Sequence, residues 1–322
     1  MIKQITNHFK RKIFSVCYNN SIKKTKDHWD EHAGKWKVGG GIYWTEHEEV
    51  QKRINKKVSS DPHRDPYQYL IEFMSGRGYS FPLERCLTLG CGSGDLERGL
   101  SKYNFCLRHD ALDIADKAIE RAISAAKKQN LTHIHYQVQD INEIHLPSNT
   151  YNVVFGVSSV HHFTKLEHIF NEVSKALKIK GIFFLNEYIG PSRFQWTDRQ
   201  LDVINSILKI LPLKYKKIVT DPSLTKDFYN RPTVERVAAG DPSEAIRSAE
   251  IIPLLNEYFD IVEIKHIGGT ILHPLLTNIA GNFKIDNEVD AMLLEAIFKF
   301  EDVLMEQGDL LSDFAVIIAK KQ

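Results

Sequence analysis

The period of apolar and polar positions changes at about residue 82. Beyond it, short apolar runs at 85–89, 107–112, 133–139, 151–157 and 181–188 read as strands separated by segments of helical period. Helices are predicted at 95–103, 116–129 and 165–177. Ala118, Ile119, Ala122 and Ile123 share a face in the second, and Ile169, Val173 and Leu177 in the third. Strands and helices in alternation are the signature of βαβ units on a mostly parallel sheet, so residues 83–190 are expected to form an α/β, Rossmann-like core. Two further runs, 259–266 and 313–319, bring the expected sheet to seven strands.

Around that core the pattern is mainly helical. Residues 1–82 read as a helical N-terminal extension carrying Trp29, Trp36, Tyr43 and Trp44, and 191–258 as a helical insertion. The segment 259–322 supplies the last two strands with a second insertion at about 274–308. The extension and both insertions are expected to stand over the carboxyl ends of the strands, where open α/β sheets bind ligands, and to form a lid there.

The first strand runs into Gly90-Cys91-Gly92-Ser93-Gly94 and then into a helix. Glycines permit a tight turn and close backbone approach, and a helix N-terminus presents free N–H groups, so a polar ligand belongs there. A dinucleotide fingerprint would need a third glycine at position 95 or 97, but those residues are Asp95 and Glu97. An acidic side chain there repels a pyrophosphate and tolerates a cationic cofactor, which disfavours an NAD-dependent oxidoreductase. Twenty-three residues after Gly90 the second strand ends in Asp113. A carboxylate at that position can accept from both hydroxyls of a ribose, although Asp also suits a helix N-cap. After the third strand, Asp140 could accept from an adenine amino group and Ile141 could pack on its ring.

With these elements together, residues 83–190 resemble the class I S-adenosylmethionine-dependent methyltransferase family. The resemblance rests on Leu87-Thr-Leu-Gly-Cys-Gly-Ser-Gly94, Asp113, Asp140-Ile141, Gly156-Val-Ser-Ser-Val-His-His162 and Leu177-Lys-Ile-Lys-Gly181. It implies the class I methyltransferase fold, with S-adenosylmethionine as cofactor. Gly90, Cys91, Gly92 and Gly94 would contact its methionine part, Asp113 with Ile114 the ribose, Asp140 and Ile141 the adenine, and Val157 the region beside the sulfonium. Asn152 departs from the Asp that many relatives carry in the fourth strand.

Methyl transfer to a hydroxyl needs a base near the carboxyl ends of strands four and five, where the candidates are Glu187, His161 and His162. Tyr188 and Arg193 follow Glu187 into the expected acceptor pocket as substrate-binding candidates. For Glu187 the alternative is an ion pair with Arg193, and for the two histidines core packing. The expected acceptor is a small molecule or saccharide. Segments 43–50 and 187–196 look similar to methyltransferases of surface-polysaccharide biosynthesis, and aromatic lid residues would suit a sugar face or a lid core. A cofactor-binding scaffold without turnover is the competing class.

The 322 residues are 43% hydrophobic and 26% charged, as in soluble globular proteins, and no run approaches the about 20 apolar residues of a membrane span. A net charge of +1, with no amino-methylating signature after strand four, argues against nucleic acid as a partner. Charges in the first dozen residues interrupt any secretory signal, and a cytoplasmic location is expected. Cys17, Cys86, Cys91 and Cys106 form no C-x-x-C pair, so neither a disulfide frame nor a metal site is expected. Residues 1–60 hold 13 Lys and Arg against 6 Asp and Glu. Ile2, Ile5, Phe9, Ile13 and Val16 recur there at helical spacing. A helix over 1–16 would either dock on its own domain or touch a membrane surface.

Overall fold

The computed structural model describes residues 23–31 and 40–322. The helix expected at 1–16, Cys17 and Trp36 lie outside the described residues. Seven strands make one sheet: β1 (Leu83–Leu89), β2 (Cys106–Asp113), β3 (Ile134–Val138), β4 (Tyr151–Val157), β5 (Leu177–Tyr188), β6 (Phe259–Gly268) and β7 (Phe314–Lys321). Their order is β3-β2-β1-β4-β5-β7-β6. The first five pair in parallel, and β7 lies antiparallel between β5 and β6. Strand order reverses between β1 and β4, so the turns leaving those two strands diverge and open a crevice at their carboxyl ends.

The central strands carry the continuous apolar runs that a sheet covered on both faces requires: Val153, Val154 and Phe155 in β4, and Ile182 to Leu185 in β5, are fully buried. Asn152, the departure from the family pattern, accepts the backbone N–H of Arg85 at 3.0 Å and so ties β4 to β1.

Helices among the described residues include α1 (Glu48–Ser59), α2 (Pro66–Ser75), α3 (Asp95–Ser101), α4 (Asp116–Lys128), α5 (Leu166–Ala176), α6 (Asp198–Ile210), α7 (Val234–Gly240), α8 (Ile251–Tyr258), α9 (Leu272–Leu276) and α10 (Glu288–Glu306), besides a single turn at Leu213–Lys216 and helical residues 23–31. Local chemistry sets their starts. Asp65 caps α2 in a capping box with Gln68, behind Pro66 at the first helical position, and Thr197 caps α6 with Gln200.

Packing corrects the expected lid. Residues of α1, α2, α6 and α10, among them Val50, Leu70, Ile204 and Leu294, join Cys86, Phe155, Phe184 and Ile318 in one buried cluster on one face of the sheet. The opposite face packs on α5 and α8 through Ile169, Val173, Ile251 and Leu255. The extension and insertions therefore cover a sheet face, because a sheet apolar on both sides must have helices on both. Among the described residues, helical residues 23–31 and the connections around 40–46, 190–197, 241–248 and 269–273 gather at the strand ends. The structure also holds a hairpin, Lys217–Ile218 with Asp221–Thr225, inside the stretch read as helical. Its second strand is exposed throughout and shows no apolar alternation to read.

Candidate active site

The glycine turn is shaped by close approach on one side and open space on the other. Gly90, Gly92 and Gly94 all have positive φ, at 72°, 53° and 76°. The N–H groups of Gly90 and Cys91 donate to Leu112 O at 2.8 and 2.9 Å, fastening the turn to the end of β2. A Cβ on Gly90 would lie 2.5 Å from Ser159 Cβ, one on Gly94 would enter the Tyr136 ring, and one on Gly92 would meet nothing within 4 Å. The backbone at Gly92 thus borders free space.

Asp113 faces the same space from the end of β2. Its Oδ2 accepts from Gly92 N at 2.8 Å and its Oδ1 from Ala115 N at 2.9 Å, and the Ile114 N–H also acts on the carboxylate. Burial pushes its pKa up, while those N–H donors pull it down. Helix α4 starts at Asp116 with Ala115 as N-cap, so Asp113 does not cap it. Ile114 is half-buried beside it. Asp140 caps the 3-10 turn Ile141–Glu143 through Asn142 N at 2.9 Å, and Ile141 is buried. Val157 ends β4 opposite Asn186. Helical residues 23–31 cross this region: Asp30 accepts from Lys117 N at 2.7 Å at the head of α4, and Lys26 pairs with Asp116.

Glu187, near the end of β5, has no exposed surface. Its Oε1 accepts from Ser159 N at 2.5 Å and Val160 N at 2.7 Å, and its Oε2 from His161 Nδ1 at 2.6 Å and Tyr188 N at 3.1 Å. All four acceptor positions are engaged, which places Glu187 as the anchor of the Ser158–His162 turn and not as a group open to a substrate. Ser159 Oγ donates to Leu89 O at 2.6 Å, completing a tie across β1, β4 and β5. The expected ion pair with Arg193 is absent from this arrangement. The Arg193 guanidinium donates to Glu244 O at 3.0 Å and Pro242 O at 2.7 Å.

Arg193 and Phe194 both have positive φ, 56° and 55°. Two side-chain-bearing residues in the left-handed region store strain, which persists only where surrounding contacts enforce it. Here Arg193 N donates to Ala245 O and Ile246 N to His161 O, stitching the 241–246 loop between them. Tyr188 is 2% exposed and its hydroxyl donates to Pro191 O. Tyr188, Trp44, Trp196 and Phe314 surround His273, so of the two roles open to the aromatic residues these four take that of a core. Burial pushes the His273 pKa down to about 3.

The 241–246 loop brings together groups that the sequence keeps apart. His161 Nε2 lies 3.7 Å from Glu244 Oε1, and His162 Nδ1 lies 3.1 Å from Ser243 Oγ and 3.5 Å from Asp241 Oδ2. The two imidazole rings are 4.1 Å apart, and Trp29 meets His162 edge-on at 5.0 Å. Burial raises the Glu244 carboxyl to about 6. Burial, then neighbouring His161, lowers His162 well below the ordinary imidazole value. His161, opposed by its own burial, is raised by Glu187. Sequence reading passed over Asp241, Ser243 and Glu244 because they sit in a stretch of helical pattern. The only local signal is Asp-Pro-Ser, a turn-forming set. Glu97, read from the sequence only as an acidic residue unsuited to a dinucleotide, is fully buried on α3 with its carboxyl raised by burial.

A family model for a methyltransferase domain matches residues 87–185, which run from β1 through β5 and include the glycine turn, Asp113, Asp140 and the Ser158–His162 turn. The chain carries a class I S-adenosylmethionine-dependent methyltransferase domain. Among curated relatives, a sterol 24-C-methyltransferase of Candida albicans is 26% identical over 144 residues, covering 44% of this chain and 38% of that protein. A 27-O-demethylrifamycin SV methyltransferase of Amycolatopsis mediterranei is 24% identical over 107 residues, covering 33% and 39%. The matches thus span about two fifths of those relatives. A geranyl diphosphate C-methyltransferase from Streptomyces coelicolor A3(2), solved with Mg2+, geranyl diphosphate and S-adenosyl-L-homocysteine, shares the fold. Its TM-score is 0.53 at 13% identity, over 94% of this chain and 98% of that one.

S-adenosylmethionine is the cofactor of the methyltransferase domain, and the residues present fit it: open space over Gly92, the Asp113 carboxylate at the end of β2 bound to Gly92 N, and a helix N-terminus beyond. Asp113→Asn keeps the shape but removes the charge. Since hydrogen bonds to charged groups contribute about 1.5–3 kcal/mol, S-adenosylhomocysteine affinity should fall roughly 10- to 100-fold by titration calorimetry. An unchanged Kd would remove Asp113 from the ribose site.

Proposed function

We propose that the protein methylates a hydroxyl oxygen of a small molecule, with a saccharide as the acceptor class. The observation that carries this reading is the polar cluster His161, His162 and Glu244 at the mouth of the cofactor crevice, in a lid otherwise made of buried aromatic side chains. A hydroxyl needs such groups to orient it and draw off its proton, whereas an amine or a thiolate needs less help. The names of the sterol and rifamycin methyltransferases support a small-molecule acceptor, and of the two the 27-O-demethylrifamycin enzyme supports an oxygen.

When bound, S-adenosylmethionine supplies a methyl group on a sulfonium, which leaves as a neutral thioether. The chain's own task is alignment and exclusion of water. The turn from Gly90 to Gly94 and Asp113 fix the donor. The Ser158–His162 turn, held by Glu187, sets the imidazoles, and the 190–197 and 241–248 connections close the space above them. As the C–S bond breaks and the C–O bond forms, the hydroxyl proton is drawn off at the His161–Glu244 side.

The test has two stages. Titration of the purified chain with S-adenosylhomocysteine and with NAD should give binding of the first only. Tight binding of NAD alone sinks the reading. A panel of hydroxylated acceptors, sugars included, with methyl-labelled donor should then yield an alkali-stable labelled ether. Label found only on nitrogen or carbon would refute the hydroxyl assignment.

A further inference from the structure

We infer that His161, His162 and Glu244 bind one divalent transition-metal ion, of which Zn2+ is the working probe. One ligand atom from each of the three lies within 4.8 Å of the others. The inference deepens the methyl-transfer reading and rests on it for the ion's role, though not for its binding.

The hydrogen bonds prepare both imidazoles as ligands. His161 Nδ1 donates to Glu187 Oε2 at 2.6 Å, which leaves the lone pair on Nε2, the atom facing Glu244 at 3.7 Å. Ser243 has a single hydroxyl proton, and it goes to Asp241 Oδ1 at 2.7 Å. Its oxygen must therefore accept from His162 Nδ1 at 3.1 Å, which leaves the His162 lone pair on Nε2 as well. Each ring is thus backed on its Nδ1 side by a carboxylate, directly by Glu187 or through Ser243 by Asp241. That is the support that fixes tautomer and orientation in histidine metal sites.

Charge points the same way. Glu187, Glu244 and Asp241 crowd around the two rings, and Asp241 Oδ2 is buried without a hydrogen-bond partner, 3.5 Å from His162 Nδ1. Arg193, the nearest guanidinium, directs its donors to the carbonyls of Glu244 and Pro242. A protonated His161 would balance one of these carboxylates, and a divalent ion balances two. Two imidazoles with one carboxylate suit Zn2+, Mn2+ or Fe2+ better than Mg2+, which prefers oxygen. Ligand atoms around tetrahedral Zn2+ stand about 3.3 Å apart, given bonds of about 2.0–2.1 Å. The cluster therefore has to contract by up to about 1.5 Å at its widest. Glu244, whose side chain is 25% exposed, is free to make that movement. Three protein ligands leave a coordination position for the acceptor's oxygen, and an ion there lowers the pKa of a bound hydroxyl, whose proton passes to the uncoordinated carboxylate oxygen of Glu244 because both imidazole Nε2 atoms hold the ion.

The full chain, stripped with chelator and dialysed separately against Zn2+, Mn2+ and Mg2+, should retain about one Zn2+ per chain and no Mg2+, with a raised Tm in Zn2+. His162→Ala and Glu244→Gln should each weaken Zn2+ binding by more than the roughly 10- to 100-fold typical of changes outside the ligand set. S-adenosylhomocysteine titration of the same samples reports that the fold is intact. A Co2+-loaded chain should show visible absorption that both variants lose. Retention of no stoichiometric Zn2+, or equal retention by wild type and both variants, would overturn the site. Stoichiometric Zn2+ binding without methyl transfer to any hydroxyl leaves the site standing and removes the acceptor reading. Undiminished transfer in chelator removes the ion's role in transfer and leaves the acceptor reading standing.

Discussion

Glu187→Ala should lower the midpoint of thermal unfolding by roughly 5–10 °C and abolish most methyl transfer. The substitution leaves the N–H groups of Ser159 and Val160 and the Nδ1 of His161 without their acceptor in a place closed to water. Three unsatisfied buried donors at about 1–3 kcal/mol each cost about 3–9 kcal/mol, and relief from burying the carboxylate itself brings the expected loss to about 2–5 kcal/mol. For a chain of this size each kcal/mol corresponds to about 2 °C. Activity falls for a separate reason: the Ser158–His162 turn sets the imidazoles, and a shift of about 1 Å at reacting groups costs roughly 100-fold. Glu187→Gln should lie between, because a Gln oxygen can still accept from Ser159 and Val160 while its amide opposes Tyr188 N. Scanning calorimetry with steady-state kinetics checks both. Wild-type stability in Glu187→Ala would show that the anchor has been misread.

Gly90→Ala should raise the Kd for S-adenosylhomocysteine by at least about 100-fold, a loss of about 2.7 kcal/mol. Two effects combine. Gly90 has φ of 72°, and the left-handed region costs a residue with a side chain about 1–2 kcal/mol. The new Cβ would stand 2.5 Å from Ser159 Cβ, and overpacking costs typically about 1–3 kcal/mol. Ser159 cannot retreat without breaking its bond to Leu89 O and its tie to Glu187, so the ends of β1 and β4 must part where the cofactor lies. Gly99→Ala is the control: within α3, with nothing inside 4 Å of the added Cβ, it should leave affinity unchanged and slightly stabilise the helix. Equal loss in both variants would mean a global effect and not one at the cofactor turn.

The glycine turn and the strand ends that carry Asp113 and Asp140 were legible in the sequence because each is local. Gly90 to Gly94 is one turn, Asp113 and Asp140 each end a strand, and their order along the chain mirrors their order along a parallel sheet. The periods of 2 and 3.6 likewise set the seven sheet strands and the core helices to within a few residues, since each buries a face that its own residues define.

The acceptor half was not legible, because it is assembled from distant segments. Asp241, Ser243 and Glu244 lie about eighty residues beyond His161 and His162, in a loop whose hydrogen bonds to His161 O and Arg193 N only tertiary packing makes. Glu187 illustrates the limit: as one carboxylate after an apolar run, it reads equally as a base, an ion-pair partner or an anchor. Burial decided among these by supplying four donors and no solvent. The same holds for the helices of the extension and insertions. Their amphipathic pattern announces that they cover something, but whether they cover strand ends or a sheet face depends on which apolar surface the rest of the chain leaves open. By itself the sequence determined the strands, the helices and the donor turn, where cause and effect lie within a few residues. The tertiary structure alone decided which polar groups meet above that turn, because hydrogen bonding and burial across about eighty residues leave no periodic trace in the chain.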